Sequence, residues 1–156
     1  MNHQIRWTDR KIERRLQLIT PLVYRQQQPL PPFRFTAMPD ASTPPPVQPE
    51  VDDSAWEVIN PGDYWGGWLC NYTLRSSFQV PADWSGPAAL FLPLGEAGDF
   101  SHPEALVYID GQACGSCDRH HQELRLPDFA CDGQPHTLAL HGWTGLFNGD
   151  PLIKLL

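Results

Sequence analysis

Apolar residues recur along this chain with two different periods. Ile12, Leu16, Ile19 and Val23 are spaced four, three and four apart, with Arg10, Lys11, Glu13, Arg14 and Arg15 between them, which is the stripe of an amphipathic helix. The pattern predicts one helix over residues 8–24, capped by Thr8 or Asp9 through a side-chain oxygen that accepts the first free N–H groups. Pro21 ends or kinks it, because proline has no N–H to donate. Further on the period falls to two: Trp68, Cys70, Tyr72, Leu74, Phe78 and Val80 alternate with Asn71, Thr73, Arg75, Ser77 and Gln79. That alternation predicts a long half-buried strand with Trp68 in the core.

Pro81 and the turn-forming residues 82–86 close that strand, and the apolar run 88–94 predicts a central strand buried on both faces. Residues 105–109 read as another strand. Asp110-Gly111 after it is the pair a two-residue type I′ hairpin prefers, since both positions need positive φ. Residues 123–126 and 136–140 supply further short strands, with Asp132-Gly133 as a second turn signal. Several short strands with a turn every ten or so residues predict a mainly β fold, a jelly-roll or galactose-binding-like β-sandwich. The run Leu152-Ile153-Lys154-Leu155-Leu156 reads as a strand leading onward into further chain.

Between helix and strands, residues 29–49 hold eight prolines, a composition that favours extended polyproline backbone over helix or central strand. The expected organisation is a helical segment (1–28), a proline-rich connecting arm strapped across the domain (29–54) and the β-sandwich (55–156).

Composition narrows the function classes. With 41% hydrophobic residues and a net charge of −7, the chain has the means to build a core and no row of cations for phosphates or anionic lipid. Nucleic acid and membrane are not expected as partners. The polar N-terminus lacks a signal peptide's apolar core, and no apolar run approaches the ~20 residues of a membrane span, so a cytoplasmic location is expected. There the four cysteines would stay reduced. Cys114-x-x-Cys117 is half of a zinc-site pattern whose second half is absent, and Asn71-Tyr72-Thr73, formally a glycosylation sequon, sits mid-strand.

Chemistry is sparse. Glu96, Asp99, Glu104, Asp110, Asp118 and Glu123 could in principle supply a carboxylate pair, but most sit beside turns, where acids are ordinarily solvated. No nucleophile elbow, Walker loop, dinucleotide fingerprint or His-Glu-x-x-His occurs. The densest polar cluster is Asp118-Arg119-His120-His121-Gln122-Glu123, able to offer donors and acceptors to sugar hydroxyls or to another domain. Tryptophans are more often buried, and Trp65, beside Gly66-Gly67, is the candidate for an exposed aromatic platform.

These residues carry a resemblance. The stretch from Trp68 to Phe78-Gln79-Val80-Pro81-Ala82-Asp83-Trp84-Ser85-Gly86 looks like the aromatic strand and turn of sandwich domains that precede glycosidase catalytic domains. Glu104-Ala105-Leu106-Val107-Tyr108-Ile109-Asp110-Gly111, then Asp118-Arg119-His120-His121-Gln122-Glu123, then His136-Thr137-Leu138-Ala139-Leu140 and Gly142-Trp143-Thr144-Gly145 together resemble the N-terminal domain of cytosolic or vacuolar-type α-mannosidases of glycoside hydrolase family 38. Where that family usually has Asp-Arg-Asn-His, this chain has Asp118-Arg119-His120-His121, and Cys114 and Cys117 are not family positions. The resemblance implies a non-catalytic domain without metal or cofactor of its own. It would pack on a downstream catalytic domain, which holds a divalent metal, usually zinc, and an aspartate nucleophile, or on another subunit of a homo-oligomer. The alternatives are an independent carbohydrate-binding module and the accessory domain of a β-galactosidase-like enzyme. Asp118, Arg119, His120, His121, Glu123 and Trp65 are the expected interface or sugar-contact residues.

Overall fold

A computed structural model of the chain describes residues 7–95, 102–145 and 153–154. Helix α1 (Thr8–Val23) precedes strands β1 (Phe33–Met38), β2 (Glu57–Ile59), β3 (Tyr64–Trp65), β4 (Asn71–Phe78), β5 (Ala89–Phe91), β6 (Glu104–Ile109), β7 (Gln112–Cys117), β8 (Glu123–Arg125), β9 (His136–Trp143) and β10 (Ile153–Lys154), with a 3-10 turn at Asp128–Cys131. The fold is therefore mainly β. Six strands form an open antiparallel sheet in the order β2-β1-β4-β9-β6-β7, while β3 pairs with β10 and β5 with β8. No helix among the described residues is long and apolar enough to cross a membrane.

The alternation in β4 sets the two faces of the sheet. Leu74 lies opposite Leu140, and Leu140 opposite Val107, a row of three side chains with no solvent exposure. Leu90, Leu92, Leu94, Leu126 and Trp65 join that row in one core, so the β5 and β8 segments lie over this face.

On the other face Arg75 is 3% exposed. Its Nε donates to Asp53 Oδ2 at 2.9 Å, and its Nη1 donates to the carbonyls of Pro46 (3.1 Å) and Gln48 (2.9 Å). A buried guanidinium thus ties residues 46–53 to the sheet.

Several expectations need correction. Part of the proline-rich stretch is not an arm at all: β1 is an inner strand, flanked by β2 and β4. The residues between Pro32 and Pro39 form a proline-free, alternating Phe33-Arg34-Phe35-Thr36-Ala37-Met38, so the ladder meets no missing donor. Trp65 and Trp68 exchange their predicted roles, with Trp65 2% and Trp68 58% exposed. Positive φ at Gly66 and Leu69 turns the chain between them, so the alternation of β4 does not extend back to Trp68. Trp65 Nε1 donates to the Leu94 carbonyl at 3.3 Å, and its ring meets Tyr72 edge-on at 4.7 Å.

The apolar run 88–94 is not a central strand either. Only Ala89–Phe91 is extended, in a ribbon with β8, and Phe91 is 61% exposed. Alternation, with Leu90, Leu92 and Leu94 buried, prevails there over overall apolarity. Helix α1 matches its predicted span with Pro21 inside, but the cap falls on Trp7 rather than on Thr8 or Asp9. The Arg10 guanidinium lies over the Trp7 ring, 4.6 Å from its centre.

The hairpin is as predicted. Ile109 faces Gln112, leaving Asp110 (φ 49°) and Gly111 (φ 76°) as the two turn residues. Asp110 also reaches across to β9, where Oδ1 accepts the Thr137 N–H at 2.9 Å and Oδ2 lies 2.6 Å from His136 Nδ1. The other ring nitrogen of His136, Nε2, is 3.0 Å from Asp132 Oδ1. An imidazole held between two carboxylates donates at both nitrogens only when charged. Burial by itself pushes the His136 pKa down, yet its hydrogen bonds and charge attraction to Asp110 and Asp132 prevail and raise it above the ordinary value. A raised folded-state pKa adds stability that is complete below the unfolded value, near 6.5, and is lost as pH rises through the folded one. The melting temperature is therefore expected to fall as pH rises above about 6.5, and His136→Phe to remove most of that slope. An equally steep slope in the variant would assign it to other groups.

Candidate functional site

The strand register lines up Met38, Asn71, Trp143 and Glu104 as a row at one end of the sheet. Glu104 Oε2 accepts from Trp143 Nε1 at 3.4 Å, which fixes the indole beside a carboxylate. β7 ends at Cys117, opposite Ala105, so the next residue, Asp118, starts its turn beside this row.

That turn is closed by its own first side chain. Asp118 Oδ1 accepts the backbone N–H groups of His120 (2.6 Å) and His121 (2.7 Å), His121 Nδ1 lies 3.0 Å from Oδ2, and the Asp118 N–H donates to the His121 carbonyl at 3.1 Å. The His121 hydrogen bond first, then the two backbone N–H bonds, hold the Asp118 carboxyl down to about 2. A carboxylate so committed is an anchor rather than a general acid. It holds the turn so that Arg119, His120 and His121 stay exposed. The His120 ring meets His102 edge-on at 5.6 Å, and His102 Nε2 lies 3.8 Å from Glu104 Oε1. The buried His102 Nδ1 has no hydrogen-bond partner among the described residues.

A second loop flanks the same end. The buried Thr144 hydroxyl donates to the Gly67 carbonyl at 2.5 Å and accepts the Cys70 N–H at 3.0 Å, while the Thr144 N–H donates to the Cys70 carbonyl at 3.0 Å. Pinned at both ends, the loop presents Trp68 and Leu69 to solvent. The result is a preorganised surface of indole faces, imidazoles and carboxylates, suited to sugar hydroxyls or to a polar protein surface.

Of the predicted site residues, Asp118, Arg119, His120 and His121 share this turn. Glu123 does not: it lies on β8 and accepts the hydroxyl of Tyr24. Trp65 is in the core. His102 and Trp68 are additions, and nothing in their local sequence distinguishes them from solvated or core residues. Glu96 and Asp99 fall outside the described residues.

Cys114 is the unmatched residue of a bulge in β7, between Ala113, which faces Tyr108, and Gly115, which faces Val107. Burial, then the Asp118 charge, pushes the Cys117 thiol up to about 12, far from a metal-ready thiolate. Among the described residues no group of three or more His, Cys, Asp or Glu is placed to hold a metal ion. No protein-family model and no curated protein matches the chain.

Proposed function

We propose that this chain is a non-catalytic β-sandwich domain of a family 38 α-mannosidase, an enzyme that removes terminal α-linked mannose. It acts by packing its polar end on the catalytic domain or on another subunit. The observation that carries this reading is convergence. Of the three separated stretches that resemble the family, 104–111 begins with the β6 strand, 118–123 runs from the Asp118 turn to the first residue of β8, and 136–145 begins with β9, and β6 pairs directly with β9. Their Glu104, Asp118 and Trp143 lie side by side at the end just described. The ribbon of β5 and β8 over the six-stranded sheet supports a two-layer sandwich.

A self-closed Asp118 turn loses little conformational freedom when it docks. The metal chemistry of such an enzyme belongs to the catalytic domain. A second reading, an independent carbohydrate-binding module, is favoured by the exposed Trp68 on its pinned loop.

Calorimetric titration of the chain with mannose, mannobiose and galactose separates the two. The packing domain is expected to give no heat. In the intact enzyme, Asp118→Ala with His121→Ala is then expected to lower kcat/KM or thermal stability. Specific binding that Trp68→Ala abolishes would replace the first reading by the second, and unchanged kinetics together with unchanged stability would remove the turn from the contact.

A further inference from the structure

Helix α1 buries none of its residues on its own domain. Ile12, Leu16, Ile19 and Val23 form one stripe and are 51%, 56%, 55% and 60% exposed, with Leu18 and Leu22 alongside at 60% and 72%. A helix of 16 residues with Pro21 inside it is marginal alone in water and normally draws its stability from packing an apolar face. An exposed apolar patch of this kind marks a contact surface.

A receptor of matching character lies on the body. Between the core face of the sheet and the β5–β8 ribbon runs a groove of about 860 Å³, lined by Phe33, Phe78, Val80, Trp84, Leu90 and Leu92 among others. Among its described lining residues the one charge is Glu123. The chain that leaves α1 runs along this groove, and Tyr24 is fastened there by its hydrogen bond to Glu123. The arm is thus anchored at the rim of its own groove while its apolar stripe faces solvent.

Charge separates the two parts further. Residues 1–28 carry six Lys or Arg against two carboxylates, and residues 29–156 carry five against sixteen, so the total of −7 divides into an arm of +4 and a body of −11. Exposed Asp63 and Asp83 stand close in sequence to the groove residues Pro61 and Trp84. The body of a second copy therefore offers the arm both an apolar seat and opposite charge.

We infer that α1 is an exchanged dimerisation arm. In a two-fold dimer each copy lays the Ile12–Leu16–Ile19–Val23 stripe on the groove of the other, with the flanking Lys11 and Arg15 toward the acidic body. Reciprocal exchange satisfies both grooves with one type of contact and closes the assembly at two copies. The inference goes beyond the function proposed above and does not rest on it.

Sedimentation of the chain over a range of concentration and salt tests it. A reversible monomer–dimer equilibrium is expected, weakened by salt because exposed charges are screened. Leu16→Asp with Ile19→Asp is expected to leave the β-sheet circular dichroism intact, since α1 adds nothing to the core, and to abolish the dimer. Glu123→Arg is expected to weaken association by about tenfold, and Lys11→Glu with Arg15→Glu in the same chain to restore part of it. A monomer at every concentration, or a dimer indifferent to the Leu16 and Ile19 changes, overturns the inference.

Discussion

Asp53→Ala is expected to destabilise the fold by about 1–3 kcal/mol, because it takes the half-buried partner away from the buried Arg75 guanidinium. Arg34 and Arg75 sit directly opposite one another on β1 and β4, and like charges at facing positions repel. The Asp53 carboxylate bridges them, Oδ2 to Arg75 Nε at 2.9 Å and Oδ1 to Arg34 Nε at 3.5 Å. Without it the Arg75 guanidinium, 3% exposed, stays buried with only two backbone carbonyls for partners. Urea unfolding checks the size of the loss. Adding Arg75→Met to Asp53→Ala is expected to recover part of it, because an apolar side chain has no charge to strand. A midpoint for the single variant within error of wild type would mean that the strap is incidental to the fold.

Gly142→Ala is expected to be more severe, beyond the roughly 4–5 kcal/mol that few single substitutions exceed. A Cβ built on Gly142 falls 1.7 Å from the Glu104 carbonyl oxygen and 2.8 Å from Ala105 Cα. Both obstacles are backbone, so no rotamer change relieves the overlap, and β6 would have to part from β9 where Ala105 faces Gly142. Gly67→Ala is the control, since nothing lies within 4 Å of its Cβ position and its φ is not positive. The first variant is expected to lose the near-ultraviolet circular dichroism of the packed core, and the second to keep it. Equal stability of the two would show that the sheet yields at this point without cost.

Which of these features the sequence displays depends on how local their causes are. The Asp110-Gly111 hairpin is legible because its requirement, two adjacent residues at positive φ, is carried by the two residues themselves. Strand β4 is legible from its alternation. The exchange of Trp65 and Trp68 is not, because it depends on the backbone turn at Gly66 and Leu69 and on a carbonyl from Leu94, 29 positions away. Strand β1 is hidden by the prolines on either side of it. Strand β7, Gln112-Ala113-Cys114-Gly115-Ser116-Cys117, is too polar and small to signal a strand and is held by pairing with β6. Arg75 reads from alternation as a solvated side chain, since Asp53 and the strap that cover it arrive from 22–29 positions upstream. At the candidate site the polar turn stands out in the sequence, whereas its self-closure by Asp118 and its neighbours Glu104, His102 and Trp143 follow only from register.

The position of β9 between β4 and β6 governs the order in which the chain can assemble. The β6–β7 hairpin closes over two residues and can form within microseconds, but β4 has to wait for a partner about seventy residues further along before its inner edge is satisfied, a slow long-range closure. On a ribosome everything from β1 to β8 would emerge before that partner does. Until His136–Trp143 has been made, the two halves of the sheet have no strand to join them, and the apolar rows around Leu74 and Val107 lie open together.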